Sequence, residues 1–147
     1  MNSAIKIHEE VIKNANTDSN IRSISEFKIG LLGRQGDIYI HGVKNGQEFS
    51  LSFPDQNISV NVDDFNIPST NTQLVSGSTK GSRHVVAGNV KIFRAFNDNP
   101  LISCLLEVKD KATITHPSHA HFQLPSGKYM ITQQRDYAVE ELKAVRD

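Results

Sequence analysis

Alternating apolar and polar positions dominate the chain from about residue 26 onward. The first runs of this kind are EFKIGLL, GDIYIHGV, QEFSLSF and NISVNV, and the second group is HVVAGNVKIF, LISCLLEV, DKATIT and KYMITQQ. Because successive side chains of a strand point to opposite faces, a period of two predicts strands. About eight short strands with Gly, Pro and Asn between them, and no βαβ rhythm, predict a mainly β fold, a small antiparallel barrel or sandwich.

The turns between these runs also have sequence signals. Asn45-Gly46 predicts a type I′ hairpin turn, since that turn needs positive φ at both central residues. Lys109-Asp110-Lys111 predicts the turn from LISCLLEV back into ATIT, and Pro125-Ser126-Gly127 predicts another. The polar segment DDFNIPSTNT contains Pro68, which predicts a loop.

The two ends of the chain have a different pattern. Residues 3 to about 15 predict a helix that Ser3 caps, with a loose apolar face. That face consists of Ile5, Ile7, Val11 and Ile12. AVEELKAVR, residues 138–146, predicts a short terminal helix. We therefore divide the chain into an N-terminal helical arm, residues 1–22, and a single β-rich domain, residues 23–147, with the arm as a contact for a homo-oligomer.

Composition narrows the classes of function. The chain has 147 residues, 37% of them hydrophobic, enough for one domain with a core. Sixteen basic residues balance sixteen acidic ones, which disfavours nucleic acid as a partner. Cys104 stands alone in an apolar run and is expected to be a small buried hydrophobe. With no secretory h-region and no apolar stretch of membrane-spanning length, we expect a cytoplasmic protein without a membrane partner.

A histidine-rich turn is the main candidate for chemistry. His116-Pro117-Ser118-His119 fits a β-turn, which brings its first and last Cα atoms within about 7 Å. His121 would share a face with His119 in an extended segment, and is an additional candidate. His84, at the junction of a glycine-rich loop and a strand, is the expected third member, with His41 as a weaker one. The alternative is that these histidines are exposed turn residues without a function.

Imidazoles in such a group could ligate a metal. One divalent transition metal (zinc, iron, nickel or manganese) on His84, His116 and His119 would leave a position for a water of lowered pKa, the nucleophile of a hydrolase. The general base would be one of Asp37, Glu107 and Asp136, and the sequence does not select among them.

The loop GSTKGSRH, residues 77–84, predicts a second feature of the same site. It lacks the order of a phosphate-binding P-loop. Gly81 could nevertheless contribute to an anion-binding nest, and Lys80, Arg83 and Arg135 could face a small anionic ligand. The alternative is an ordinary surface loop.

Several motifs together resemble a known group of proteins. The order is Gly36-Asp37-Ile38, then Gly77 through His84, Thr115 through His119, Leu124-Pro125-Ser126-Gly127-Lys128-Tyr129, and Gln134-Arg135-Asp136-Tyr137. Over about residues 35 to 140 it resembles a family of small, uncharacterised proteins encoded in phages, prophages and bacterial genomes. The resemblance implies phage or mobile-element ancestry, hence host cytoplasm or virion, and a site at His84, His116 and His119. It implies no activity, and Ser82 stands where the family loop has a histidine.

Two functions from different classes remain open at this point. The first is a β-domain whose histidine-lined site binds a metal or a small anionic ligand, with hydrolysis and hence enzymatic activity undecided. The second is a phage particle structural, assembly or accessory protein that acts through protein–protein contacts. LPSGKY also echoes a turn of cupin-like barrels, but that fold serves enzymes and binding modules alike.

Overall fold

The computed structural model describes residues 21–75, 83–96, 99 and 101–134. The helices predicted over residues 3 to 15 and 138–146 lie outside these ranges. The strands are β1 (Ile21–Ser23), β2 (Gly30–Gln35), β3 (Ile38–Val43), β4 (Glu48–Ser52), β5 (Asn57–Asn61), β6 (Phe65–Ser69), β7 (Val85–Ala95), β8 (Ile102–His116) and β9 (His119–Gln133). A 3-10 turn, Val62–Asp64, precedes β6.

The strands form one large sheet and one small one. The large sheet has the order β2-β3-β9-β8-β7-β6, with every neighbour antiparallel, and β1 adds to β9 in parallel. The small sheet consists of β4 and β5. The prediction of a mainly β, antiparallel fold is confirmed. The barrel, and with it the cupin-like analogy, is wrong, because β2 and β6 end the large sheet without pairing to each other within the described residues.

The core covers both faces of the central strands. Ile131 belongs to one buried cluster and its neighbour Met130 to another on the opposite face. The small sheet packs on the second cluster through Phe49, which is joined there by partly buried residues of β4 and β5. The first cluster is closed by Ile24 and Leu74, which lie outside the strands. Burial on both faces explains why the sequence of the central strands contains continuous apolar runs.

Two predicted turns lie inside long strands. Residues 109–111 belong to β8 and residues 125–127 to β9, and Lys111 pairs with Pro125 across the ladder. The pairing shifts register between Val108 and Lys111, so a bulge absorbs the polar triplet without reversing the chain. Packing requires a glycine at position 127, because the ring of Phe27 lies directly against it and leaves no room for a Cβ.

Two further turn predictions need correction. The segment around Pro68 is strand β6, at the open edge of the large sheet, where a missing N–H is tolerated. A turn does occur at residues 44–47, where the Gln47 N–H donates to the Lys44 carbonyl at 3.3 Å. Only Gly46 has positive φ, +73°, so the turn is not type I′, and it links β3 and β4 in different sheets.

Three smaller predictions concern Cys104 in the core, the boundary of the N-terminal arm and segments that could span a membrane. Cys104 is fully buried, as expected, and burial raises the pKa of its thiol to about 12. The proposed boundary at residue 22 falls within β1. Among the described residues, none of the helical segments has the length and apolar character that a membrane crossing would require.

Candidate functional site at the β8–β9 hairpin

The histidine-rich turn is the tip of the longest hairpin. Pro117 and Ser118 form the two-residue loop between β8 and β9, and His116 pairs with His119 across it. The Ser118 N–H donates to Nδ1 of His116 at 3.0 Å, and the two ring centroids lie 4.6 Å apart. The predicted β-turn is confirmed, and Pro117 favours it by presetting φ at the second position.

His84 joins this pair from the position just before β7. Val86 pairs with Ile114 in the sheet, so His84, two residues before Val86, lies on the same face as His116, two residues after Ile114. The ring of His84 is fully buried, and its centroid lies 4.5 Å from that of His116 and 6.5 Å from that of His119. We call His84, His116 and His119 the histidine cluster. The exposed ring of His121 makes no contact with these three rings in the described structure.

Both ring nitrogens of His84 are hydrogen-bonded to protein oxygens. Nδ1 lies 2.8 Å from Oε1 of Gln35, and Nε2 lies 2.8 Å from Oδ1 of Asp37. The Gln35 amide nitrogen donates to the carbonyls of Ile114 at 2.9 Å and Ala120 at 2.8 Å, which fixes its oxygen toward His84. Because both partners of His84 are acceptors, each ring nitrogen must carry a proton. The geometry therefore assigns His84 as an imidazolium cation.

Asp37 is the counter-ion of this buried cation. Its side chain is 16% exposed and that of His84 is 0% exposed. Burial alone would raise the pKa of the Asp37 carboxyl, but the hydrogen bond and the charge of His84 outweigh burial and lower it. Gln133 Nε2 donates to the other carboxylate oxygen at 3.4 Å. Asp37 thus remains a carboxylate, as the ion pair requires.

Gly36 makes room for the third ring. It forms the tight turn between β2 and β3 with φ +58°, and a Cβ there would lie 2.6 Å from Nε2 of His119. His119 is exposed, and its pKa is lowered by partial burial and then by electrostatic interaction with His116 and His84. A neutral His119 ring therefore covers the turn that carries Asp37.

The predicted metal centre has no ready-made set of ligands among the described residues. Among the described residues, no group of three or more His, Cys, Asp and Glu side chains could hold a metal ion. The reason at His84 is that both nitrogens hold protons against acceptors, whereas a metal ligand needs a free lone pair. At His116, Nδ1 already receives the Ser118 N–H. That a transition metal binds at the histidine cluster stays a prediction, which elemental analysis of the purified protein would test.

The other predicted site residues have different positions. Lys80, Gly81 and Arg135 lie outside the described residues, and so does Asp136. Arg83 is exposed and directly precedes His84. Of the three candidate bases, Asp37 is in the site, while Glu107 pairs with Lys128 at 3.6 Å within the β8–β9 ladder.

His41 lies away from the cluster. Its Nε2 is 2.8 Å from Oγ1 of Thr132, and its ring meets the ring of Phe49 edge-on at 5.0 Å. Burial lowers its pKa to about 4. His41 is therefore a neutral packing residue between the two sheets.

Sequence reasoning missed two residues of the site. Gln35 ends β2 and is 2% exposed, but no local feature of the sequence marks this position as buried. Arg22 had no local signal. It enters through the parallel pairing of β1 with β9, where Arg22 is opposite Phe122.

Comparison with known proteins gives one match. Residues 34–134 match the family described as "Domain of unknown function (DUF8820)". The matched segment contains Gln35, Asp37 and the whole histidine cluster, and Arg22 precedes it. No curated protein and no solved structure matches the chain.

Proposed function

The chain belongs to the family with the domain of unknown function (DUF8820), a description that names no activity, and we propose from the site itself that it binds a small anionic ligand at the histidine cluster. The observation that carries the proposal is the cationic, fully buried His84 in ring contact with His116 and His119. A cation held in place by two hydrogen bonds is a preorganised partner for negative charge.

The surroundings of the cluster add positive charge. Arg34 Nε donates to the Gly36 carbonyl at 2.6 Å and its guanidinium lies 5.2 Å from the ring of Tyr39, so it is fixed beside the turn that carries Asp37. Arg83 adjoins His84, and the charge of Arg22 acts on His119. Together with His84 these cations outnumber the Asp37 carboxylate, which supports an anion as the ligand.

Binding, and not hydrolysis, is the activity proposed. The predicted hydrolytic route used a metal-bound water, and it would require His84 to give up one of its two ring protons and the hydrogen bond that this proton makes. The exposed, neutral ring of His119 instead offers an N–H donor to a ligand at the hairpin tip.

The test is a titration of the full-length chain with inorganic phosphate and, separately, with acetate, followed by the histidine ring signals in NMR. We expect saturable shifts at the cluster, lost in His119→Ala. The matched control is His121→Ala, two residues further along β9 and outside the cluster, which should bind like the parent. Equal binding by His119→Ala would contradict the proposal. So would a stoichiometric transition metal in the purified protein that is lost in a His116→Ala/His119→Ala double variant.

A protein-docking role is the second candidate, as expected for a phage assembly or accessory protein in a virion or host cytoplasm. It is favoured by Ile29 and Leu31, 49% and 48% exposed at the open β2 edge of the large sheet. Analytical ultracentrifugation of the parent and of Leu31→Lys tests it. Association that the substitution abolishes supports docking between copies, and a parent that is monomeric throughout argues against a homo-oligomer.

A further inference from the structure

We infer that Arg22 forms an oxyanion subsite beside the histidine cluster and that its guanidinium takes a carboxylate or phosphate group of the ligand. The inference rests on the proposed function and deepens it, because it names the ligand group and a residue outside the matched family segment.

The position of Arg22 follows from strand register. β1 runs parallel to β9, with Arg22 opposite Phe122, and the Ile24 N–H donates to the Gln123 carbonyl at 3.1 Å to hold the pairing. Residues opposite each other in a sheet project to the same face. Phe122 pairs in turn with Ile114 on β8.

That face is the one that carries the cluster. Ile114 pairs with Val86, and His84 and His116 are each two residues away from this row, toward the hairpin tip. The side chain of Arg22 therefore enters the site from the β1 side, opposite to Arg83, which precedes β7. The positive charge of Arg22 helps to lower the pKa of His119, which agrees with this placement.

The guanidinium of Arg22 has an unmet hydrogen-bonding need. Its Nε atom is buried and has no hydrogen-bond partner among the described residues. No ion pair joins Arg22 to another described residue, although Arg34 and Arg94 both donate to carbonyl or amide oxygens. A buried N–H without an acceptor is costly, and native proteins rarely keep one without a function. An acceptor is therefore expected from outside the described chain.

The chemistry of that acceptor follows from the donor. A guanidinium presents Nε and a terminal nitrogen as parallel donors, which match two oxygens of a carboxylate or phosphate. The ring of His119 lies on the same side of the sheet and would donate to a remaining ligand oxygen, while His84, whose two N–H groups are already taken, acts through its charge alone. A neutral ligand would leave the positive charge uncompensated, so an oxyanion is the class that fits.

The experiment compares four full-length proteins: the parent, Arg22→Gln, Arg22→Lys and the control Lys91→Gln. Lys91 is exposed on β7, so its substitution removes one positive charge away from the site. Inorganic phosphate and acetate are titrated separately, with affinity from calorimetry and the Arg Nε–H signals from NMR. We expect Arg22→Gln to weaken binding by about tenfold or more, Arg22→Lys to weaken it less, and Lys91→Gln to leave it within about twofold.

The outcomes separate the two proposals. If the parent binds neither phosphate nor acetate, the proposed function fails and this inference with it. If the parent binds and Arg22→Gln binds as well as Lys91→Gln, the Arg22 subsite is overturned while the proposed function stands. A preference for one of the two anions identifies which group the subsite takes.

A second measurement tests whether Arg22 has a structural role instead. Because Nε has no partner to lose, Arg22→Met without added anion should unfold at a Tm equal to or above that of the parent, and phosphate should raise the Tm of the parent alone. A large loss of Tm in anion-free Arg22→Met would show that Arg22 supports the fold itself, and would overturn the inference.

Discussion

Nε2 of His84 lies 2.8 Å from Oδ1 of Asp37, and this ion pair joins the start of β7 to the turn between β2 and β3. The two residues are far apart in the sequence, and Gln35 connects the same ring to the β8–β9 hairpin. Stability and the proposed ligand binding are therefore expected to depend on the same few contacts.

Asp37→Asn should lower the free energy of unfolding by about 3 kcal/mol, because it leaves the buried His84 cation without its counter-ion. Urea unfolding at pH 7 measures this. The combined Asp37→Asn/His84→Gln variant should be more stable than the sum of the two single changes predicts, by about 1 kcal/mol or more. Strict additivity would show that the two residues are not coupled.

Gln35→Leu should destabilise the protein by about 3 kcal/mol, since it removes hydrogen bonds to His84 and to the Ile114 and Ala120 carbonyls within a buried site. The hairpin tip should loosen more than the rest of the sheet. Hydrogen exchange measures this, with faster exchange at residues 113–123 and unchanged exchange in the β4–β5 sheet. Uniform acceleration in both sheets would mean that Gln35 does not act on the tip in particular.

Gly36→Ala should lower stability and displace His119, because φ is +58° and a Cβ would lie 2.6 Å from Nε2 of that ring. The backbone cost is about 1 kcal/mol. Gly46→Ala is the matched control, since its φ is +73° but a Cβ would have Asp63 Oδ2 as its nearest neighbour, at 3.8 Å. The His119 ring signals should shift only in Gly36→Ala, and equal spectra for both variants would contradict the crowding.

Acidification should destabilise the protein through His41 before it affects Asp37. The pKa of His41 is about 4 in the fold against 6.5 ordinarily, so between pH 6.5 and 4 the unfolded chain takes up a proton that the folded chain does not. This lowers the free energy of unfolding by up to about 3 kcal/mol across that window. The contribution of Asp37, whose pKa is lowered below 3.8, is present above that value and is lost only at more acid pH.

Chemical denaturation at stepped pH values tests the order of these losses. His41→Gln, which can still bond to Thr132, should flatten the profile between pH 6.5 and 4. His121→Gln changes an exposed histidine and should keep the slope of the parent. An unchanged slope in His41→Gln would assign the loss to other groups.

The sequence predicts the site wherever its geometry is local. His116 and His119 are three residues apart around a proline, so the turn alone brings them together. His84 could be predicted because it directly precedes a strand, β7, whose neighbour β8 ends at the same turn. Gln35 and Arg22 could not be assigned to the site, because their partners depend on the pairing of strands distant in sequence.

The errors in the predicted fold have a similar cause. Polar triplets at residues 109–111 and 125–127 have the composition of turns, and only their pairing with each other shows that both strands continue. Pro68 is read as a loop residue unless the strand is known to lie at an edge. Local composition therefore identifies strands but does not tell where a strand ends when another strand supports it.

The two-residue connection between β8 and β9 also has a kinetic consequence. These two strands of 15 residues each are joined by Pro117 and Ser118 alone, so their ladder can zip from the turn with little loss of chain entropy. Contacts between residues that are close in sequence form earliest in folding, and the contacts beside this turn are of that kind. The β8–β9 ladder then supplies the edges on which β3, β7 and β1 assemble. The histidine-bearing tip is thereby the expected folding nucleus, so a substitution at Pro117 or Ser118 would change the rate at which the protein reaches its native state as well as the arrangement of the histidine cluster.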